Sequence, residues 1–269
     1  MSNLKVGAVV YDPKVTVVWK IIANFFRENG FNIDCVFFKD YKMQVDAFME
    51  NKIDIAWNSP LAWVDTFIRT DGRCKKSAMR DTDIDRETLF LAKVDSKISS
   101  LSDFKNKKIG FGAIDSPQAR LIPVNYLANN GLFSGNDYKE IIFNVGFGLH
   151  GDHVGGELDA LKALKDDFVD VSVCLDLNYK AWVENGTIDE KQIIQIAKTP
   201  KFDHCIFTLQ EDIDPKVLEN WEKILFKMDY NNKNHKEMMD MEGLKKWVKG
   251  RTSGFEQLHE AVKLLNFFN

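Results

Sequence analysis

Two hydrophobic periodicities alternate through the first sixty residues. Lys5 to Val10 reads as a strand that stops at Tyr11-Asp12-Pro13, where the proline ends an extended run and suits the first turn of a helix. Val18, Ile21, Ile22, Phe25 and Phe26 then recur at helical spacing and draw one apolar stripe, with Gly30 where a C-terminal cap belongs. Ile33 to Phe38 is a second strand, a short helix is expected around Val45, Phe48 and Met49, and Ile53 to Trp57 is a third strand. Such β-α-β-α-β order predicts a mostly parallel sheet with helices on its faces and a ligand crevice beyond the strand carboxyl ends.

The pattern restarts further along. Thr88–Lys93 and Lys108–Ala113 read as strands, with a helical turn at Leu101–Lys105 between them. Ser116 is the expected N-cap and Pro117 the first residue of a helix carrying Leu121, Ile122, Val124 and Leu127 and closing at Gly131. A strand over Ile141–Phe147, a helix over Glu157–Phe168 and a strand over Asp170–Leu175 follow, and the tail from Pro215 to Asn269 is helical by periodicity. The expected organisation is a first lobe over 1–87, a second over 88–195, and a return to the first lobe with C-terminal helices over 196–269.

Composition narrows the partners. With 36 basic and 40 acidic residues among 269, the chain has no general basic field to hold nucleic acid. No apolar run reaches the roughly 20 residues needed to span a bilayer, so a soluble chain without membrane insertion is expected. The N-terminus as written shows no export signal, which fits a cytoplasmic protein or a periplasmic or extracellular one whose leader has been removed. Cys35, Cys74, Cys174 and Cys205 form no CxxC and read as buried free thiols. GxSxG, GxxxxGK[ST], GxGxxG and HExxH are absent, which removes the best-marked hydrolase, nucleotide and zincin chemistries, and no cofactor is expected.

Three segments remain as candidate chemistry. In Asp115-Ser116-Pro117-Gln118, a helix amino terminus with two side-chain donors suits a small anion, or serves only as a cap. Tyr41 and Asn58-Ser59-Pro60 follow strands, where polar residues face the crevice, although Asn-Ser-Pro is also an ordinary turn. His150 and His153, with Asp152 and Glu157 nearby, read as ligand contacts, as a structural turn, or as metal ligands, the last set being His150, His153 and Glu157. Gly155-Gly156 argues against helix before Glu157. Tyr11 and Asp176 complete the candidate ligand contacts. Arg80 to Arg86 reads as a solvated crossover with local ion pairs.

The run from Asp46 to Pro60, with its Asp54-Ile-Ala-Trp57-Asn-Ser-Pro60, resembles a segment of the phosphate/phosphite/phosphonate-type substrate-binding proteins of ABC transporters. Val94 to Phe111, with Asp95-Ser96, Ser100-Leu101, Asp103 and Lys105 to Lys108, is similar to that family's opening of the second lobe. The resemblance implies a type II periplasmic-binding-protein fold: two α/β lobes joined by two crossovers, closing on a small oxyanion. It implies ligand contacts at Ser116 and Gln118 in the second lobe and at Tyr41 and Ser59 in the first. His150 and His153 fall in the loop where the family carries a polar contact. Asp115 and the paired histidines depart from the family pattern. The partners implied are a small-molecule ligand and an ABC permease. A cytosolic enzyme on the same fold, with or without metal assistance and acting on a small metabolite, is the alternative.

Overall fold

The computed structural model describes residues 3–152 and 155–268. His153 therefore lies outside the described residues. The chain divides into two compact units, Met1–Ile84 with Asp203–Gly254, and Asp85–Phe202 with Phe255–Asn269.

The first unit begins with β1 (Leu4–Val9), α1 (Lys14–Glu28), β2 (Ile33–Phe38), α2 (Tyr41–Met49), β3 (Ile55–Asn58), α3 (Pro60–Arg69) and the short strands β4 (Lys75–Lys76) and β5 (Ala78–Arg80). The second unit contributes β6 (Thr88–Lys93), β7 (Lys108–Phe111), α4 (Ile122–Asn129), β8 (Lys139–Ile142), α5 (Gly155–Lys165), β9 (Val171–Leu175), α6 (Asp176–Glu184) and β10 (Ile193–Lys198). The chain then returns to the first unit with β11 (Ile206–Leu209), α7 (Pro215–Leu225), α8 (Lys233–Met241) and β12 (Trp247–Lys249), and ends in the second with α9 (Glu256–Leu264).

Each unit builds one five-stranded sheet. In the first the order is β2-β1-β3-β11-β4, with β1 parallel to β2 and β3 while β11 runs antiparallel to β3 and β4. In the second it is β10-β6-β9-β7-β8, with β7 parallel to β8 and β9 and β6 antiparallel to β9 and β10. The predicted βαβ alternation thus supplies the parallel half of each sheet, and the strands next to the crossovers supply the antiparallel half.

Local sequence explains α1. Its stripe of Val15, Val18, Trp19, Ile22, Phe25 and Phe26 is buried. It ends because Gly30 takes φ +76°, which lets Phe31 N–H reach Phe26 O at 3.0 Å and Gly30 N–H reach Arg27 O at 3.0 Å. The first-unit core centres on Phe207, whose ring lies 4.6 Å from Trp57, 5.3 Å from Trp221, 5.4 Å from Trp247 and 6.0 Å from Trp19, measured between centroids.

Several expectations change in three dimensions. The strand expected over Ile141–Phe147 is β8, Lys139–Ile142, because only that stretch keeps register with β7. Helix α5 starts at Gly155, against the sequence expectation. A β-carbon on Gly156 would lie 2.5 Å from Phe143 O and 3.1 Å from Ala113 N, so close backbone packing requires glycine in this first turn. The helical tail contains β12, which pairs antiparallel with β5. The solvated reading of Arg80 to Arg86 fails at Asp83, which is 2% exposed and takes Arg80 Nε and Nη2 at 2.8 Å each.

The chain passes between units at Ile84/Asp85, Phe202/Asp203 and Gly254/Phe255, so the return to the first unit spans Asp203–Gly254 and the last fifteen residues group with the second unit. These passes are laced by short bonds. Arg86 and Phe202 exchange backbone hydrogen bonds of 2.7 and 2.8 Å, His204 N–H donates to Asp83 O at 2.7 Å, and Asp203 N–H donates to Gly254 O at 2.9 Å.

Candidate functional site

In the second unit, β7 and β9 end side by side, and their carboxyl ends lead into Gly112–Gln118 and Asp176. Ser116 caps the next helix as the sequence predicts, its Oγ accepting Ala119 N–H at 3.1 Å. The first turn, Pro117–Leu121, is wider than an α-helix: Arg120 and Leu121 N–H both reach Ser116 O, at 3.1 and 3.0 Å, before α4 begins. Thr88 of β6 fixes this turn by donating its hydroxyl to Gln118 O at 2.6 Å.

Gln118 and Glu157 form the centre of the cluster. Gln118 donates Nε2 to Gly151 O at 2.8 Å and reaches Glu157 Oε1 at 3.4 Å. Glu157 Oε2 accepts Leu175 N–H at 2.9 Å and Asn178 Nδ2 at 2.8 Å. Burial raises the Glu157 pKa, and the bonds from Asn178, Leu175 and Gln118 pull the other way. With three N–H donors on its oxygens, Glu157 is a buried, hydrogen-bonded carboxyl group.

Asp115 and Asp176 flank this centre. Asp115 Oδ2 accepts Gly148 N–H at 2.7 Å and lies 4.0 Å from His150 Nε2. Burial raises the Asp115 pKa and pushes that of His150 down to about 3, so His150 is neutral at pH 7. Asp176, first residue of α6, pairs with Arg86 at 3.2 Å, and burial raises its pKa against that pairing. The segment Gly146 to Gly151 runs over Ser116 and Gln118 with Gly146, Gly148, His150 and Gly151 all at positive φ.

Structure thus brings Ser116, Gln118, His150, Glu157 and Asp176 into one neighbourhood. Asn178 joins them and was not identified from sequence. Its signal was its place one turn into the helix after β9, three residues past Leu175.

The first unit holds the remaining candidates. Ser59 repeats the Ser116 arrangement: it follows β3, precedes a proline and caps α3 by accepting Ala62 N–H at 3.2 Å. Tyr41 opens α2 and is 1% exposed, and Tyr11 packs partly buried against the core. Asn58 is fully buried in a polar network, accepting Gln44 Nε2 at 2.8 Å and donating to Thr208 Oγ1 at 2.9 Å. A further group, Asp83, His204 and Cys205, places three possible ligand atoms within 4.8 Å of one another. The Arg80 guanidinium already neutralises both Asp83 oxygens, so the geometry there is that of a buried ion pair.

Two α/β units, each with capped helices and buried polar groups at the strand carboxyl ends, have the architecture of a type II periplasmic binding protein. The family model for "ABC transporter, phosphonate, periplasmic substrate-binding protein" matches residues 11–255, and the chain belongs to that family. A relative from Prochlorococcus marinus, the probable ABC transporter phosphite binding protein PhnD1, is 24% identical over a 287-residue alignment covering 98% of this chain and 90% of the relative. The solved structure of that organism's PhnD1 with methylphosphonate superposes with TM-score 0.71 at 18% identity, covering 98% of each chain. XAC2383 from Xanthomonas citri, bound to chloride ion, gives TM-score 0.73 at 14% identity and covers 99% of each chain. These structural likenesses establish the fold.

Proposed function

We propose that this chain is the solute-binding component of an ABC importer, working on the periplasmic side of the membrane, and that its two units close on one small polar metabolite and pass it unchanged to a permease. The carrying observation is the convergence of 115–118, 148–151, Glu157 and 175–178 on one buried polar cluster at the strand carboxyl ends, where α/β sheets bind ligands. Ser116 suits a contact, because its oxygen accepts the capping N–H while its own hydroxyl proton remains to be given. Tyr41 and Ser59 are the proposed contacts in the first unit, with Asn58 and Tyr11 behind them. The phosphonate-like oxyanion class is the finer form of this reading, and family membership supports it.

The test is a thermal-shift series with methylphosphonate, phosphite, phosphate and a broad set of small metabolites. A solute at 100 times its Kd adds about 2.7 kcal/mol to stability. Ser116→Ala and His150→Ala weaken the responding solute if the site is placed correctly. Failure of every small solute at millimolar concentration removes the receptor reading.

A further inference from the structure

The segment that crosses Ser116 and Gln118 rests directly on their hydrogen-bonding groups. A β-carbon on Gly151 would collide with Ser116 Oγ and lie 2.5 Å from Gln118 Nε2, so the backbone of Gly151 fills the space beside the two side-chain donors of the proposed anion contact. Gln118 Nε2 donates to the Gly151 carbonyl at 2.8 Å, and Ser116 and Gln118 are only 1% and 2% exposed. A peptide carbonyl is an acceptor, as a phosphoryl or phosphonyl oxygen is, so Gly151 O takes from Gln118 the bond that a solute oxygen would take.

The strap, residues 146–151, is tied rather than packed. Gly151 O is held by Gln118, and Asp115 Oδ2 accepts Gly148 N–H at 2.7 Å, with the His150 N–H bonded to the same carboxyl group. Between these ties Leu149 N–H closes a turn on Gly146 O at 3.0 Å. Phe147 within the strap is 66% exposed and Val145 before it 37%, so little apolar burial resists displacement. An oxyanion accepting from Gln118 and Ser116 replaces a hydrogen bond of the strap with its own, and the net cost of such an exchange is small.

We propose that residues 146–151 form a self-inhibitory strap that competes with the solute for Ser116 and Gln118, that Asp115 anchors it, and that an oxyanion binds by displacing it. The inference rests on the solute-receptor reading and adds regulation to that same site. Apparent affinity is then reduced by the fraction of molecules in which the strap is open, so the site fills only at solute concentrations high enough to shift that balance. His150 travels with the strap and meets the solute from the displaced position.

Hydrogen–deuterium exchange over residues 144–152 of the intact protein, with and without methylphosphonate, phosphite and phosphate, separates a strap that yields from a wall that tightens. The expected result is faster exchange in this segment once a probe is bound, where a wall would exchange more slowly. Gly148→Ala puts a side chain at φ +87° and strains the Asp115 tie, so it should bind the same probe about threefold or more tightly at unchanged far-UV circular dichroism. Gly146→Ala, at φ +74°, loosens the strap without touching that tie and keeps the test decisive if Gly148→Ala fails to fold. Slower exchange on binding, with weaker binding by the variants, overturns the inference and leaves the receptor reading standing. If the parent binds no probe, the variants should unmask one; silence from the parent and both variants overturns the inference, and the broader metabolite screen then decides the receptor reading separately.

Discussion

Gly151 lies against the hydroxyl of Ser116 so closely that a β-carbon on it would collide with that oxygen and with the Gln118 amide. Its φ of +81° is equally hostile to a side chain. Gly151→Ala should therefore lose about 1–3 kcal/mol of stability in urea unfolding, through strain and overpacking together. An unchanged midpoint would mean that the segment does not rest on Ser116 in solution.

His150 makes stability depend on acidity in a defined direction. Its folded pKa is depressed from 6.5 to about 3, so between those values the unfolded chain binds the proton and the folded chain does not. This contribution is full above pH 6.5 and falls as pH drops towards 3, with a slope of at most about 1.4 kcal/mol per pH unit. His150→Gln should flatten the acid limb of a stability-versus-pH curve, and a curve identical to that of the parent would refute the buried, neutral assignment.

Glu157 acts with the opposite sign. Its folded pKa is raised, so stability is full below the ordinary carboxylate range and declines as pH rises through the folded value. Glu157→Gln removes this dependence, but it turns an amide donor towards either Asn178 and Leu175 N–H or Gln118. The expected net effect near neutral pH is a loss of about 1–3 kcal/mol, measured by chemical denaturation.

Arg251 holds Asp203 by two bonds, 2.6 and 2.7 Å long, beside the pass at Phe202/Asp203. The Asp203 carboxylate is fully buried. Arg251→Ala removes both of these bonds and should cost about 1–3 kcal/mol, whereas Arg251→Ala with Asp203→Asn should recover part of the loss. A double-mutant cycle with no coupling would count against this pairing.

Asn58 separates a structural role from a ligand role. Removing its side chain takes one hydrogen-bond partner each from Gln44 and Thr208, so Asn58→Ala should lower stability by about 1–3 kcal/mol. Ser59→Ala should lose about 1 kcal/mol as a cap and, if Ser59 touches the solute, weaken binding as well.

Elements whose causes lie within a few residues were legible in the sequence: the α1 stripe and its Gly30 stop, the strands β1, β2, β6 and β9, and the Ser116-Pro117 cap. Their causes are periodicity, capping and proline geometry, which are local. The short strands β4, β5, β11 and β12 were not legible, because each is held by a partner more than a hundred residues away or carries too few residues for a period to show. The Gly155-Gly156 helix start misled for a related reason, since the advantage of glycine there is the backbone of Gly112, Ala113 and Phe143 across the fold.

The candidate site divides along the same line. Sequence placed Ser116, Gln118 and the 148–157 segment near the carboxyl ends of strands and supplied the family. It could not show that Glu157 is buried between Gln118, Leu175 and Asn178, because this depends on which strands are neighbours and on what burial leaves unsolvated. Sequence alone determined two α/β units and the kind of protein they make. Tertiary structure decided the charge and hydrogen-bonding character of the polar cluster, because those are properties of groups brought together from distant parts of the chain.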